Sequence, residues 1–333
     1  MTSVRNISRR RILSISAAAA GMALLPGLSR ARATGSDPVV WRGHVLGAEA
    51  SMELHHPDRN HAQALLRAAL AEIERLEQIF SLYSTDSALA RLNRDGALAA
   101  PPVEFVELLS ASRRFHQITD GAFDPSVQPL WLLFQAHFAR PDADPSGPSH
   151  DAIDNTRAHI GFDRVVIGDD RIVLPRGAAL TLNGVAQGYI TDRVVDLLRR
   201  GGMDHSMVNL GEARAIGPRP DAQPWRIGIS DPAAPDDIKE TLDVIDRAVS
   251  TSGAYGFTFD AAGNFHHLFD PRSGLCPALY RSVTVTSPTA TAADALSTAI
   301  AMTDEAAARR ILASFADTRA IMYGQNGERI AIG

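Results

Sequence analysis

A single cysteine, Cys276, stands in 333 residues, so no disulfide can form within the chain even in an oxidising compartment. No basic block follows the first forty residues, which removes the electrostatic footprint expected of a nucleic-acid binder. No apolar run is long enough for a stable membrane span. The best candidate, residues 12–25, is rich in Ala and Ser, contains Gly21 and runs into Pro26, short of the roughly 20 apolar residues a span requires. Zinc-ligand spacing, a Walker loop and a dinucleotide fingerprint are all missing, and no regular repeat is visible. What is present is a chain with 45% apolar residues and a formal net charge of −5, enough to bury a substantial core.

The N-terminus carries an address. Ser8-Arg9-Arg10-Arg11-Ile12-Leu13 precedes the short apolar stretch, the pattern of a twin-arginine signal peptide, and Ala31-Arg32-Ala33 matches a small-x-small cleavage site. Residues 1–33 are therefore expected to be a removed signal and residues 34–333 the mature domain. A retained basic anchor helix shares the pattern and stands as the alternative. Twin-arginine export carries folded proteins, often with a ligand already acquired. No lipid-attachment cysteine follows, so the expectation is a soluble periplasmic protein with no transmembrane segment in the mature chain.

Helical spacing of Leu65, Leu66, Ala69, Ile73, Leu76 and Ile79 predicts a helix over 61–80, and a second over 102–118. Pro141 to Pro148 reads as a surface loop and a candidate boundary between two lobes. Residues 163–167 and 171–174 flank Gly168-Asp169-Asp170 as a hairpin. A helix over 187–200 ends at Gly201-Gly202. The last third alternates β-like runs, 282–286 and 320–323, with helices over 292–302 and 304–315, and Gln325-Asn326-Gly327 is a good turn before 329–332. Strands and helices in this irregular order predict an α+β fold of mixed sheets and packed helices, in one domain.

Several segments could carry chemistry. Asp294 and Thr298 lie four apart, hence on one helix face, and a carboxylate with a hydroxyl suits a hard cation such as magnesium. The bland alternative makes Asp294 a helix-start residue and Thr298 a back-bonding hydroxyl. Leu182 to Tyr189 places small residues between a β-like run and a helix, where backbone can approach a ligand. Thr251-Ser252-Gly253 and the run His266 to Gly274 bring hydroxyls, amides, two imidazoles and Arg272, groups able to hold a pyrophosphate and move a proton. For the two histidines, one buried and one solvated serves equally well as a reading; His55-His56 is the same dipeptide without such neighbours. Gly121-Ala122-Phe123-Asp124-Pro125 reads by itself as a turn ending a helix.

In combination these segments resemble one family. Residues 81–93 (Ser-Leu-Tyr-Ser-Thr-Asp-Ser-Ala-Leu-Ala-Arg-Leu-Asn), 119–124, 184–189, 208–211, 250–253, 266–274 and 293–298 occur in the order of the ApbE family, and the likeness runs from about Val45 to the C-terminus. The resemblance implies a T-fold-related domain and a magnesium-dependent FAD:protein FMN transferase, which cleaves the FAD pyrophosphate, attaches FMN to a Thr or Ser hydroxyl of an acceptor protein and releases AMP. It also implies site residues. Asp294 and Thr298 would be side-chain magnesium ligands, with Gly184 at the position that approaches the metal through its backbone. Tyr83, Ala122, Phe123, Asp124, Gln187 and Leu268 match positions lining the FAD site, and Ser252 and Gly253 would sit near the phosphates. The acceptor hydroxyl needs a base, and Asp294, His266 and His267 are the candidates.

Four positions depart from the commonest family pattern: Thr181 replaces an aspartate, Gln187 a lysine or glutamate, Glu212 a second glycine after Gly211, and Ala48-Glu49 a Gly-Thr pair. Thr181 is thus carried over as a flavin-site position without its carboxylate. Residues 182–189 and 209–212 look more like the NosX-like branch associated with nitrous oxide reductase, which implies a membrane-bound electron-transfer flavoprotein as acceptor. An FAD pyrophosphatase, a non-enzymatic flavin carrier or assembly factor, and a periplasmic solute-binding protein are the competing readings; the last leaves the run of matched segments unexplained.

Overall fold

The computed structural model describes residues 22–24, 37–231 and 234–333; the twin-arginine motif and the cleavage site lie outside them. Three antiparallel sheets organise the chain. The largest has eight strands in the order β14-β13-β12-β11-β8-β7-β3-β2, with β2 at Val39–Val45, β3 at Ala48–His55, β7 at His205–Asn209, β8 at Ala213–Ile216, β11 at Ala248–Ser252, β12 at Tyr280–Ser287, β13 at Arg319–Gly324 and β14 at Arg329–Ile332. A second sheet orders β1 (Met22–Leu24), β9 (Trp225–Asp231) and β10 (Ala234–Val244) as β1-β9-β10. Met22–Leu24, within the expected signal, pairs with residues 227–229 at the edge of that sheet. A small third sheet joins β4 (Ala97–Ala99), β5 (Val166–Ile167) and β6 (Arg171–Val173).

Side chains on a strand alternate between faces, and that alternation sorts the core. Val208, Ile216 and Ala248 face a large apolar cluster shared with the helices. Their neighbours Met207, Ala215 and Val249 point the other way, into a smaller cluster with Trp225, Ile227 and Val244 of the β9–β10 hairpin. The helical layer comprises α1 (Arg59–Phe80), α2 (Ala88–Asp95), α3 (Val103–Ile118), α4 (Gln128–Phe138), α5 (His150–Arg157), α6 (Ala186–Arg200), α7 (Ala290–Ile300) and α8 (Glu305–Leu312). Helix α7 lies over β11 and β12, and α6 lies between α7 and α1.

Helix positions follow the apolar periodicity to within two residues at most ends. The α3 terminus shows why: Asp120 (φ 51°) and Gly121 (φ 75°) turn left-handed, and Gly121 N–H closes on the His116 carbonyl at 2.8 Å, the reversal that ends a helix without a steric cost at glycine. Two expectations need correction. Residues 162–164 form a 3-10 turn after Gly161, leaving only Val166–Ile167 as strand. The loop over 141–148 does not divide two lobes: α4 and α5 on either side of it share one cluster in which Leu130, Phe134, Ile153 and Phe269 are buried, so apolar packing closes across it.

The crossing of α6 and α7 is the tightest contact in the helical layer. A Cβ added at Gly188 would lie 2.4 Å from the Ala290 carbonyl oxygen. Asp192, one turn along α6, accepts from Ala290 N–H (2.8 Å), Thr291 N–H (2.9 Å) and the Thr291 hydroxyl (2.6 Å), and pairs with Arg214 at 2.5 Å. A carboxylate at a helix N-terminus satisfies amides that have no partner within the helix and complements its dipole. Gly188→Ala should therefore destabilise the fold by about 1–3 kcal/mol, the usual cost of overpacking a close contact. Chemical denaturation checks it, and unchanged stability would show that the two helices can part freely.

Candidate active site

A cleft opens where α6, α7, β11 and the segments around residues 123 and 268 converge. It holds about 890 Å³ including its open mouth. Its lining combines the apolar side chains of Phe123, Trp131, Leu268, Phe269 and Met302 with a polar set that includes Thr181, Asn183, Gln187, Ser252, Asp294 and Thr298 beside Gly184. Eleven of the fourteen residues singled out from sequence line it: Ala122, Phe123, Asp124, Thr181, Gly184, Gln187, Ser252, His267, Leu268, Asp294 and Thr298. Tyr83 stands beside it, bonded to Asn183 of the lining. Gly253 continues the strand past Ser252, beneath the Tyr255 ring.

Asp294 occupies the fifth position of α7, whose cap is Thr289, so it is no helix-start residue. Its Oδ2 accepts the Gly188 N–H at 3.0 Å. Burial, with a smaller contribution from Asp192, pushes its carboxyl up to about 8 even against that hydrogen bond. Thr298 lies one turn on. Its hydroxyl is 3.4 Å from Ser252 Oγ, and a Cβ at Gly184 would come within 3.0 Å of it, so the backbone at Gly184 approaches as closely as glycine permits. A ladder of hydroxyls continues beneath, Ser297 Oγ lying 2.8 Å from Ser252 Oγ and 3.0 Å from Ser250 Oγ. Alternation of β11 turns Ser250 and Ser252 to the same face, toward α7.

The two histidines separate. His267 lines the cleft and its Nδ1 sits 3.3 Å from the Phe257 carbonyl. A carbonyl can only accept, so Nδ1 carries the proton and Nε2 is left as a basic nitrogen. His266 is buried outside the lining, and its Nδ1 accepts from Leu268 N–H. Burial lowers both imidazoles to about 4, so both are neutral near pH 7. Arg272, grouped with them in sequence, is bound to Asp270 at 2.8 Å and to the Met302 carbonyl, fixing the loop rather than entering the cleft. Asp124 is similarly committed: it accepts from Ser126 N–H (2.7 Å), Ser126 hydroxyl (2.5 Å) and Phe162 N–H (3.3 Å), which clamps the turn carrying Phe123.

Three carboxylates, Asp124, Glu212 and Asp294, line the cleft, and no arginine or lysine does among the described residues. The three do not converge on one point: among the described residues, the cleft included, no group of three or more His, Cys, Asp and Glu gathers as a metal site. The donor set here is instead one of hard oxygens: Asp294, Thr298 and the Gly184 backbone, which fits magnesium, an ion that takes few protein ligands and keeps the rest of its sphere for water or phosphate. Gln187 Nε2 and Glu212 Oε2 are buried on the lining without partners. Sequence reasoning noted Glu212 only as a departure and did not reach Asp192, Trp131, Asn183 or Met302, whose roles exist only across the fold.

The sequence model of the ApbE family matches residues 46–322. The chain belongs to that family. An FAD:protein FMN transferase of Treponema pallidum is 31% identical over 259 residues, covering 71% of each chain. The Escherichia coli K12 FAD:protein FMN transferase is 27% identical over 283 residues, 81% of this chain and 80% of its own. Among solved structures, the ApbE protein of Thermotoga maritima superposes with a TM-score of 0.79 at 27% identity, covering 89% of this chain and 97% of that one.

The buried titratable groups set a pH signature for the metal-free protein. The histidines, lowered from 6.5 to about 4, contribute stability that is present above about pH 6.5 and lost as pH falls toward 4. Asp294, raised from 3.8 to about 8, does the reverse, and the buried Glu212 facing it, also raised, acts in the same direction: the folded state holds their protons, and that stability falls as pH rises through 8. Between pH 6.5 and 8 the carboxyls dominate, so the Tm should drop across that window. Asp294→Asn should flatten the decline and magnesium should offset it in the wild type; a Tm rising from pH 6.5 to 8 in the metal-free protein would contradict the assignment.

Proposed function

We infer that this chain is an FAD:protein FMN transferase. The observation carrying the reading is the donor set of the cleft: Asp294, Thr298 and the closely approaching Gly184 backbone offer hard oxygens, and no cationic side chain lines it among the described residues, so a pyrophosphate bound there would need a divalent cation to come with it. Magnesium would be held by Asp294, Thr298 and the Gly184 backbone, and it supplies charge withdrawal from the pyrophosphate and orientation for in-line displacement.

The remaining work falls to this chain's own groups. Phe123, Trp131, Leu268 and Phe269 form an apolar wall suited to a flavin ring, and they keep water from the reacting phosphorus. Ser252 and the unpartnered Gln187 amide offer donors to phosphate oxygens. His267 Nε2 takes the proton of the acceptor hydroxyl as its oxygen bonds to the FMN phosphorus, the bond to the AMP phosphate breaks, and AMP leaves. Between the two histidines, lining the cleft and the tautomer fixed by Phe257 favour His267. The acceptor is a flavoprotein with a Thr or Ser at its attachment site. Residues 182–189 and 209–212 favour the NosX-like branch, and with it a membrane-bound electron-transfer acceptor serving nitrous oxide reductase maturation. The twin-arginine pattern supports action in the periplasm. Among the described residues no helix is long and apolar enough to cross a membrane.

Incubation with FAD, magnesium and an acceptor fragment should add an FMN-sized mass to the fragment. Asp294→Ala should slow this by about a hundredfold or more, the scale of losing one pre-organised electrostatic stabiliser. Free FMN and AMP without labelling would make the enzyme a hydrolase, and intact FAD would make it a carrier. His267→Gln should slow transfer by about 10²–10⁴-fold with FAD binding retained, as expected for a lost general base; single-turnover rates beside FAD affinity separate the two effects.

A further inference from the structure

Glu212 has no ligand or proton-transfer role in the reading above, yet it is only 4% exposed and lines the same cleft as Asp294 and Thr298. Its backbone is held on two sides: the Leu210 N–H donates to its carbonyl at 3.2 Å, and the Thr191 hydroxyl of α6 at 3.3 Å. That anchorage fixes the backbone from which the side chain joins the lining of the cleft. There it meets Ser250, which joins through Ser297 to Ser252 and Thr298. Its Oε2 nevertheless has no hydrogen-bond partner, and neither does Nε2 of the adjoining Gln187. A buried carboxylate oxygen without a donor costs several kcal/mol unless something cationic or protic meets it.

We propose that Glu212 is a second carboxylate of the cation site, holding the divalent ion with Asp294 and Thr298, directly or through one of the ion's own waters. This rests on the magnesium reading of the cleft. Two carboxylates match the charge of one divalent ion, and the oxygen that lacks a donor is the one such an ion would use. The consequence is that the ion binds before flavin does, since the protein rather than the pyrophosphate supplies most of the opposing charge.

Manganese serves as a paramagnetic stand-in for magnesium, titrated without flavin at about pH 8 while free ion is read by EPR. Glu212→Gln, which keeps the shape, should weaken binding by about 10–100-fold, the range seen when a supporting group of a metal site is removed. E212A is measured alongside so that a folding defect in one variant does not decide the matter, with near-UV circular dichroism as the check on fold. Asp294→Asn is the reference. Wild-type affinity in folded E212Q and E212A, with loss in D294N, would overturn the role of Glu212 and leave the cation site standing. A wild-type protein that binds no manganese without flavin would overturn the second carboxylate; if flavin then also failed to bring the ion in, the magnesium reading would fall with it.

Discussion

Gly188 lets two helices touch backbone to backbone, and the cleft is built on that contact. With no Cβ between them, the Gly188 N–H reaches the Asp294 carboxylate at 3.0 Å, while Asp192 one turn later caps the start of α7 and pairs with Arg214 of β8. The three interactions form one unit. The cap fixes the rotation and height of α7, the glycine fixes its distance from α6, and the bond to Asp294 fixes the carboxylate. A side chain that must sit within fractions of an ångström for metal and phosphate chemistry is thus held by the same packing that closes the core, rather than by a loop.

Electrostatics give this unit its function. Buried carboxylates are costly, and proteins retain them only where an ion, a proton or a donor compensates. Asp124 is compensated by Ser126 and Phe162, so it can be stable with no ligand and serves the turn that carries Phe123. Asp192 is compensated by Arg214 and the α7 amides. Asp294 has one amide donor, and Glu212 has a hydroxyl for one oxygen and nothing for the other. The four acids thus divide into two that hold the architecture and two whose compensation is incomplete, and the incomplete pair faces the cleft. A divalent cation held there, as proposed above, would supply the missing positive charge.

Much of this was legible in the sequence because it is written in local patterns. The helices declare themselves by apolar spacing, the α3 terminus by Gly121, and Asp294 with Thr298 by their separation of four. What one sequence withheld is whatever depends on where distant segments meet. Asp192 looks like any helical acid until α7 arrives at its side; Ser250 and Ser252 acquire meaning only when β11 passes beneath Ser297. His266 and His267 are equivalent as letters, and only the turn at Phe257 decides which ring nitrogen faces the cleft. The loop over 141–148 misled in the same way, since its composition is that of a linker while the packing of Phe134 on Phe269 lies outside any local window.

The two departures Thr181 and Glu212 make sense as a single change in where negative charge sits. Both line the cleft. At 181 the backbone N–H bonds the Pro125 carbonyl at 2.8 Å and the hydroxyl accepts from Asn183 at 3.3 Å, so the side chain is neutral and spent on its own loop. At 212 a carboxylate enters from the opposite side, under α6 and against β11. The cleft thus keeps Asp124 beside the Pro125 turn and has a further carboxyl at 212, facing Asp294. A cation held by Asp294 and Glu212, as proposed above, would lie close to the Ser252 and Thr298 hydroxyls, leaving the apolar side chains of Phe123, Trp131 and Leu268 free to meet a flavin ring.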